Sequence, residues 1–89
     1  WHLASVLVAP ERRWPLIEQL RGAGIGAAHH YPAAHLQPVY QELLPGLEGT
    51  CPNAEKYCAS QVTLPLFESL TQAQVTQITS TLKQLLVSD

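Results

Sequence analysis

Methionine is absent from this 89-residue sequence, phenylalanine occurs once, and cysteine is limited to Cys51 and Cys58. A chain that opens on Trp1 and carries no methionine reads as a processed product or a piece of a longer protein. The two cysteines build neither a disulfide nor a zinc site. On one helix their Cα atoms would stand ~10.5 Å apart, and their spacing exceeds that of a chelating turn. Charge is also sparse: five Lys+Arg against seven Asp+Glu leave a formal net charge of −2 and no basic stripe to neutralise a run of phosphates, which argues against nucleic-acid binding. The longest apolar run, Leu3 to Ala9, contains Ser5 and falls far short of the ~20 residues a membrane-spanning helix needs. No basic start, apolar stretch and small-residue cleavage site mark a secretory signal, so the expected compartment is the cytoplasm.

What is present favours a packed core. Hydrophobic residues make up 46% of the chain against 13% charged, a balance typical of ordered domains. The length allows one domain, which we place over residues 1–89. A chain this short buries only roughly 60–65% of its unfolded surface, so leftover apolar surface would point to a missing neighbour.

Leu3 to Ala9 reads as a first strand, closed by Pro10. Leu16, Ile17 and Leu20 mark one face of a helix, with Pro15 expected in its first turn, where a missing donor does little harm. Gly22 and Gly24 bracket the end of that helix, and Gly24 suits a left-handed stop position. Gly26 to Tyr31 is expected as a second strand, whose alternation would send His29 and His30 to opposite faces. Pro32 to Gly49, rich in proline and glycine, reads as a long loop interrupted by a short helix from Pro38 to Leu43. Pro52 to Ser60 is expected to be helical and Val62 to Leu64 a short strand ended by Pro65. The last helix carries the fullest local signature: Thr71 as N-cap, Gln74 completing a capping box, and Leu70 opposite Val75 as a staple. Its stripe of Val75, Ile78, Leu82, Leu85 and Leu86 is expected to dock on a sheet. The fold class is therefore α+β, a small antiparallel or mixed sheet of about three strands with helices packed on it.

Three blocks in this order carry a resemblance. Leu16-Ile17-Glu18-Gln19-Leu20-Arg21-Gly22-Ala23-Gly24-Ile25-Gly26 leads to His30-Tyr31-Pro32-Ala33-Ala34-His35-Leu36-Gln37-Pro38-Val39-Tyr40. Cys51-Pro52-Asn53-Ala54-Glu55-Lys56-Tyr57 and Thr63-Leu64-Pro65-Leu66-Phe67, then Leu70-Thr71, follow. Together they resemble the C-terminal small domain of DegT/DnrJ/StrS-type sugar aminotransferases over nearly the whole chain. Two positions depart from that pattern: His29 stands where a small or β-branched residue is usual, and Trp14-Pro15 replaces a polar first helical turn.

The resemblance implies a fold-type-I enzyme whose large N-terminal domain, absent from this chain, binds pyridoxal phosphate through a Schiff-base lysine. It further implies ping-pong transfer of an amino group from glutamate or glutamine to a keto nucleotide-sugar, in an enzyme that is generally a homodimer. No catalytic or cofactor-binding residue is assigned to this chain, and the isolated piece is expected to be inactive. Its two lysines, Lys56 and Lys83, fall on helix faces expected to meet solvent. The family positions point instead to His30, Tyr31 and His35 as the substrate-binding edge, where an imidazole or a phenol can hydrogen-bond a carboxylate or a sugar hydroxyl. The alternative for these residues is that they merely fix the loop. A metal grouping of His29, His30 and His35 is disfavoured because adjacent strand residues diverge and no carboxylate lies nearby in sequence. Gly22, Gly24 and Gly26 follow a helix and precede a strand, the reverse of a phosphate cradle. The competing function is a stand-alone, non-catalytic interaction module of the same fold that binds through the Pro32 to Gly49 loop.

Overall fold

The structure, a computed structural model, describes residues 2–87. Strand β1 spans Ala4–Leu7, helix α1 Pro10–Gly22, a 3-10 turn Ala34–Leu36, helix α2 Pro38–Leu43, helix α3 Pro52–Ser60, strand β2 Gln61–Leu64 and helix α4 Gln72–Val87. The architecture is α+β, as the pattern of apolar residues and turn formers implies. The strands pair antiparallel, Ala4 opposite Leu64 and Leu7 opposite Gln61.

The expected third strand is reduced to a single bridge. Ala28 exchanges both backbone hydrogen bonds with Thr63, at 3.1 and 2.7 Å, and the pairing stops there. A tight turn at Gly26, where the Ala27 N–H bonds the Ile25 carbonyl at 2.9 Å, and Pro32 on the other side leave no room for a longer ladder. The next residue in register would be His30 opposite Gln61, but the His30 N–H goes to the Gln61 side chain instead, at 2.8 Å.

Helix α1 starts earlier than expected. Pro10 occupies its first turn, so Pro15 lies inside the helix rather than at its start. There the ring deprives the Glu11 carbonyl of its usual partner, on a face where both residues are exposed. At the other end the chain closes in a Schellman turn: the Ile25 N–H reaches back to the Leu20 carbonyl at 2.9 Å and the Gly24 N–H to Arg21 at 3.0 Å. Gly24 supplies the required left-handed conformation, φ +82°. The turn folds Ile25 under Leu20, and both are buried.

Leu16, Ile17, Leu20, Ile25, Ala27, Val62 and Ile78 form one core, flanked by Val6, Val8, Leu64, Leu70, Leu82, Leu85 and Leu86. The α4 stripe thus points inward as its spacing implies, packing mainly on α1 and sharing one core with the inner face of the sheet. Arg12, in the first turns of α1, donates to the carbonyls of Leu85 at 3.3 Å and Leu86 at 3.4 Å near the end of α4. The capping box at the start of α4 forms in both directions, Thr71 N–H to Gln74 Oε1 at 2.9 Å and Gln74 N–H to Thr71 Oγ1 at 3.2 Å.

The molecule is elongated. Its radius of gyration is 15.3 Å, against about 12 Å for a compact chain of this length. The excess comes with a bare apolar surface that includes Val39, Tyr40, Leu43 and Leu44 around α2, and Leu7, Tyr57 and Phe67 elsewhere.

Two glycines separate backbone strain from packing, because a Cβ at either Gly22 or Gly24 would meet nothing within 4 Å. Gly22→Ala, inside the helix, is expected to raise stability by about 0.5 kcal/mol, whereas Gly24→Ala should lower it by about 1 kcal/mol. Denaturant midpoints for the two variants should therefore move in opposite directions, and shifts of the same sign would contradict this account of the turn.

Candidate functional site

The outer face of the sheet is polar because Ser5 stands opposite Thr63, and Gln61 lies two residues from Thr63 on the same side. Gln61 is 0% exposed, an unusual place for an amide. Its position is tolerated because every bonding capacity is used. Nε2 donates to Ser5 Oγ at 2.9 Å and to Thr63 Oγ1, and Oε1 accepts from the His30 N–H at 2.8 Å and faces His29 Nδ1 at 3.3 Å. The His30 ring closes the circuit, its Nδ1 2.9 Å from Thr63 Oγ1.

Both histidines are therefore held by β2, not divided between two faces. Strand alternation fails here because the segment after Ala28 has left the ladder. The His29 ring is half-buried and meets Trp14 edge-on, centroids 6.2 Å apart, rather than standing free on the surface. The His30 ring meets Tyr31 in the same manner at 4.9 Å, and Tyr31 itself is 59% exposed. The two candidates His30 and Tyr31 thus form one edge, a fixed imidazole beside a solvent-facing phenol. Sequence reasoning missed Gln61, Thr63 and Ser5. The available signal was a glutamine and a threonine alternating within a short buried strand.

His35 lies on the 3-10 turn and is held by α3 instead. Its Nε2 is 3.1 Å from Glu55 Oε2. Glu55 also accepts from the Gly49 N–H at 3.0 and 3.1 Å and from the Cys51 N–H at 3.3 Å. It thereby fastens both ends of the long loop to the first turn of α3, where a carboxylate suits the helix dipole. The same contacts hold its pKa below the usual 4.5: the His35 side chain lowers it most, burial opposes, and the Gly49 and Cys51 amides add to the lowering. His29, His30 and His35 do not assemble as a metal grouping, and among the described residues no three His, Cys, Asp or Glu side chains do. Cys51 and Cys58 are free. Among the described residues no helix is long and apolar enough to cross a membrane.

A carboxyl whose pKa is lowered on folding stabilises the fold above its unfolded pKa, and that contribution disappears as pH falls through the lowered folded value. The Gly49 and Cys51 amide resonances should accordingly hold steady at neutral pH and move together on acidification below the normal carboxylate range. In Glu55→Gln this step should be absent; its persistence would show that another group holds the loop.

A solved structure of similar fold is PseC of Helicobacter pylori, an aminotransferase involved in the biosynthesis of pseudoaminic acid. It superposes with a TM-score of 0.81 over 93% of this chain, at 23% sequence identity. The present chain spans 23% of that protein's length. The family model that describes DegT/DnrJ/EryC1/StrS aminotransferases matches residues 1–83. With the match extending over nearly all of its length, the chain belongs to the DegT/DnrJ/EryC1/StrS aminotransferase family.

Proposed function

We propose that this chain is the C-terminal small domain of a pyridoxal-phosphate-dependent aminotransferase that moves an amino group from glutamate or glutamine to a keto nucleotide-sugar. Its contribution is placement of the reactant. The observation that carries this reading is the His30–Tyr31 edge, an imidazole anchored to Thr63 at 2.9 Å beside an exposed phenol. Such a pair orients a carboxylate or sugar oxygen without performing the transfer itself. His35, the third candidate for that edge, is held at the loop by Glu55.

The residues present do not fit the cofactor. A lysine that bonds a cofactor through its amine needs a neutral, desolvated nitrogen, and Lys56 and Lys83 both stand exposed on α3 and α4. Pyridoxal phosphate accordingly belongs to a large domain outside this chain, and the bare apolar surface of Leu7, Tyr57 and the α2 region is consistent with coverage by that domain or by the second subunit of a homodimer. A second reading, a non-catalytic binding module that acts through the Pro32 to Gly49 loop, draws on the exposed Val39, Tyr40, Leu43 and Leu44.

Assay of the full gene product with keto nucleotide-sugars and either amino donor separates the two. Turnover supports the first reading, and a folded full-length protein that transfers no amino group supports the second. In the active protein His30→Ala should lower kcat/KM about tenfold or more, corresponding to roughly 1.4 kcal/mol of lost transition-state binding. Tyr31→Phe should cost less. An unchanged kcat/KM in His30→Ala would remove His30 from the substrate edge.

A further inference from the structure

The hydrogen bonds around Gln61 constrain where the protons of its neighbours sit. The His30 backbone N–H can only donate, so the Gln61 atom 2.8 Å away must be the carbonyl oxygen, and the amide nitrogen then faces the hydroxyls of Ser5 and Thr63. That nitrogen can only donate, so Thr63 Oγ1 accepts from it. Thr63 is buried, so its hydroxyl proton needs a protein acceptor, and among the described residues the acceptor within reach is His30 Nδ1 at 2.9 Å. His30 Nδ1 is therefore unprotonated in the neutral ring, and the ring proton sits on Nε2. At the other histidine the logic reverses. Gln61 Oε1 can only accept, so the contact at 3.3 Å is a hydrogen bond only if His29 carries its proton on Nδ1.

We infer that Gln61 is a positioning residue that fixes two adjacent histidines in opposite tautomers, His30 as the Nε2–H form and His29 as the Nδ1–H form. Neither Nε2 has a partner among the described residues and neither is buried, so both meet solvent. His30 thus offers a fixed donor and His29 a fixed acceptor. The consequence for substrate choice rests on the proposed role of His30: that position takes an acceptor oxygen, such as a carboxylate, carbonyl or hydroxyl oxygen, and disfavours a group that can only donate.

The test is long-range nitrogen–proton NMR of the full protein labelled with 15N-histidine, at a pH where the rings are neutral, with resonances assigned by His29→Gln and His30→Gln. The expected spectrum shows a pyrrole-type Nε2 and pyridine-type Nδ1 for His30 and the reverse for His29. The same tautomer at both residues, or the reverse pattern, overturns the inference. Thr63→Val, which removes the hydroxyl at nearly constant volume, should release His30 into a mixture, while Thr63→Ser should preserve the native pattern. A His30 spectrum unchanged by loss of the hydroxyl would also overturn it. These readouts do not depend on turnover. The expected tautomers together with full activity in His30→Ala would sink the substrate role and leave the inference standing, and the opposite result would do the reverse.

Discussion

A buried amide organises the candidate site of this molecule. Gln61 is shut away from water at the head of β2, and two donors and one doubly engaged oxygen must be satisfied at once. An unpaired buried polar group costs about 1–3 kcal/mol, so this amide constrains every neighbour that completes it. Ser5 must come from the paired strand, Thr63 from the same strand, and the 29–30 segment must fold back over both. Where a continuous ladder would set side chains by alternation, one glutamine side chain sets them here by demand for partners. The expected strand ends at Ala28, and the histidines that follow become fixtures of β2.

The remaining structure divides the labour. Inward-facing Val6, Val62 and Leu64 join the α1 and α4 stripes, which supply apolar burial and leave the outer face of the sheet for polar chemistry. Arg12 ties the beginning of α1 to the carbonyls at the end of α4, and Glu55 ties the long loop to α3. Both are single charged groups placed on backbone dipoles, an economical way to fix geometry in a chain too short for a large core.

Much of this was legible in the residues. Pro38 to Leu43 and Pro52 to Ser60 are helices with the limits their prolines and apolar spacing imply, and Gly24 and the Thr71–Gln74 box act as the stop and start signals they resemble. These are local signals, decided within a few positions. Pro15 misled because proline is common in a first turn, and the earlier Pro10 already held that place. The third strand misled because whether Gly26 to Tyr31 extends a ladder depends on what stands opposite, more than thirty residues away. The candidate edge of His30 and Tyr31 came from family resemblance, whereas the partners that hold it, Gln61 and Thr63, are determined by tertiary contact that no periodicity encodes.

The pairing of Ala4 with Leu64 has a further consequence. Two four-residue strands meet only after the chain from residue 8 to residue 60 has been gathered between them, and closing such a loop costs on the order of 3–4 kcal/mol in chain entropy alone. The sheet is thus held shut by the helices and the loop clasp that span it. Continuity of the polypeptide between Pro32 and Gly49 is itself a structural element: severing it would turn an internal closure into the association of two separate pieces.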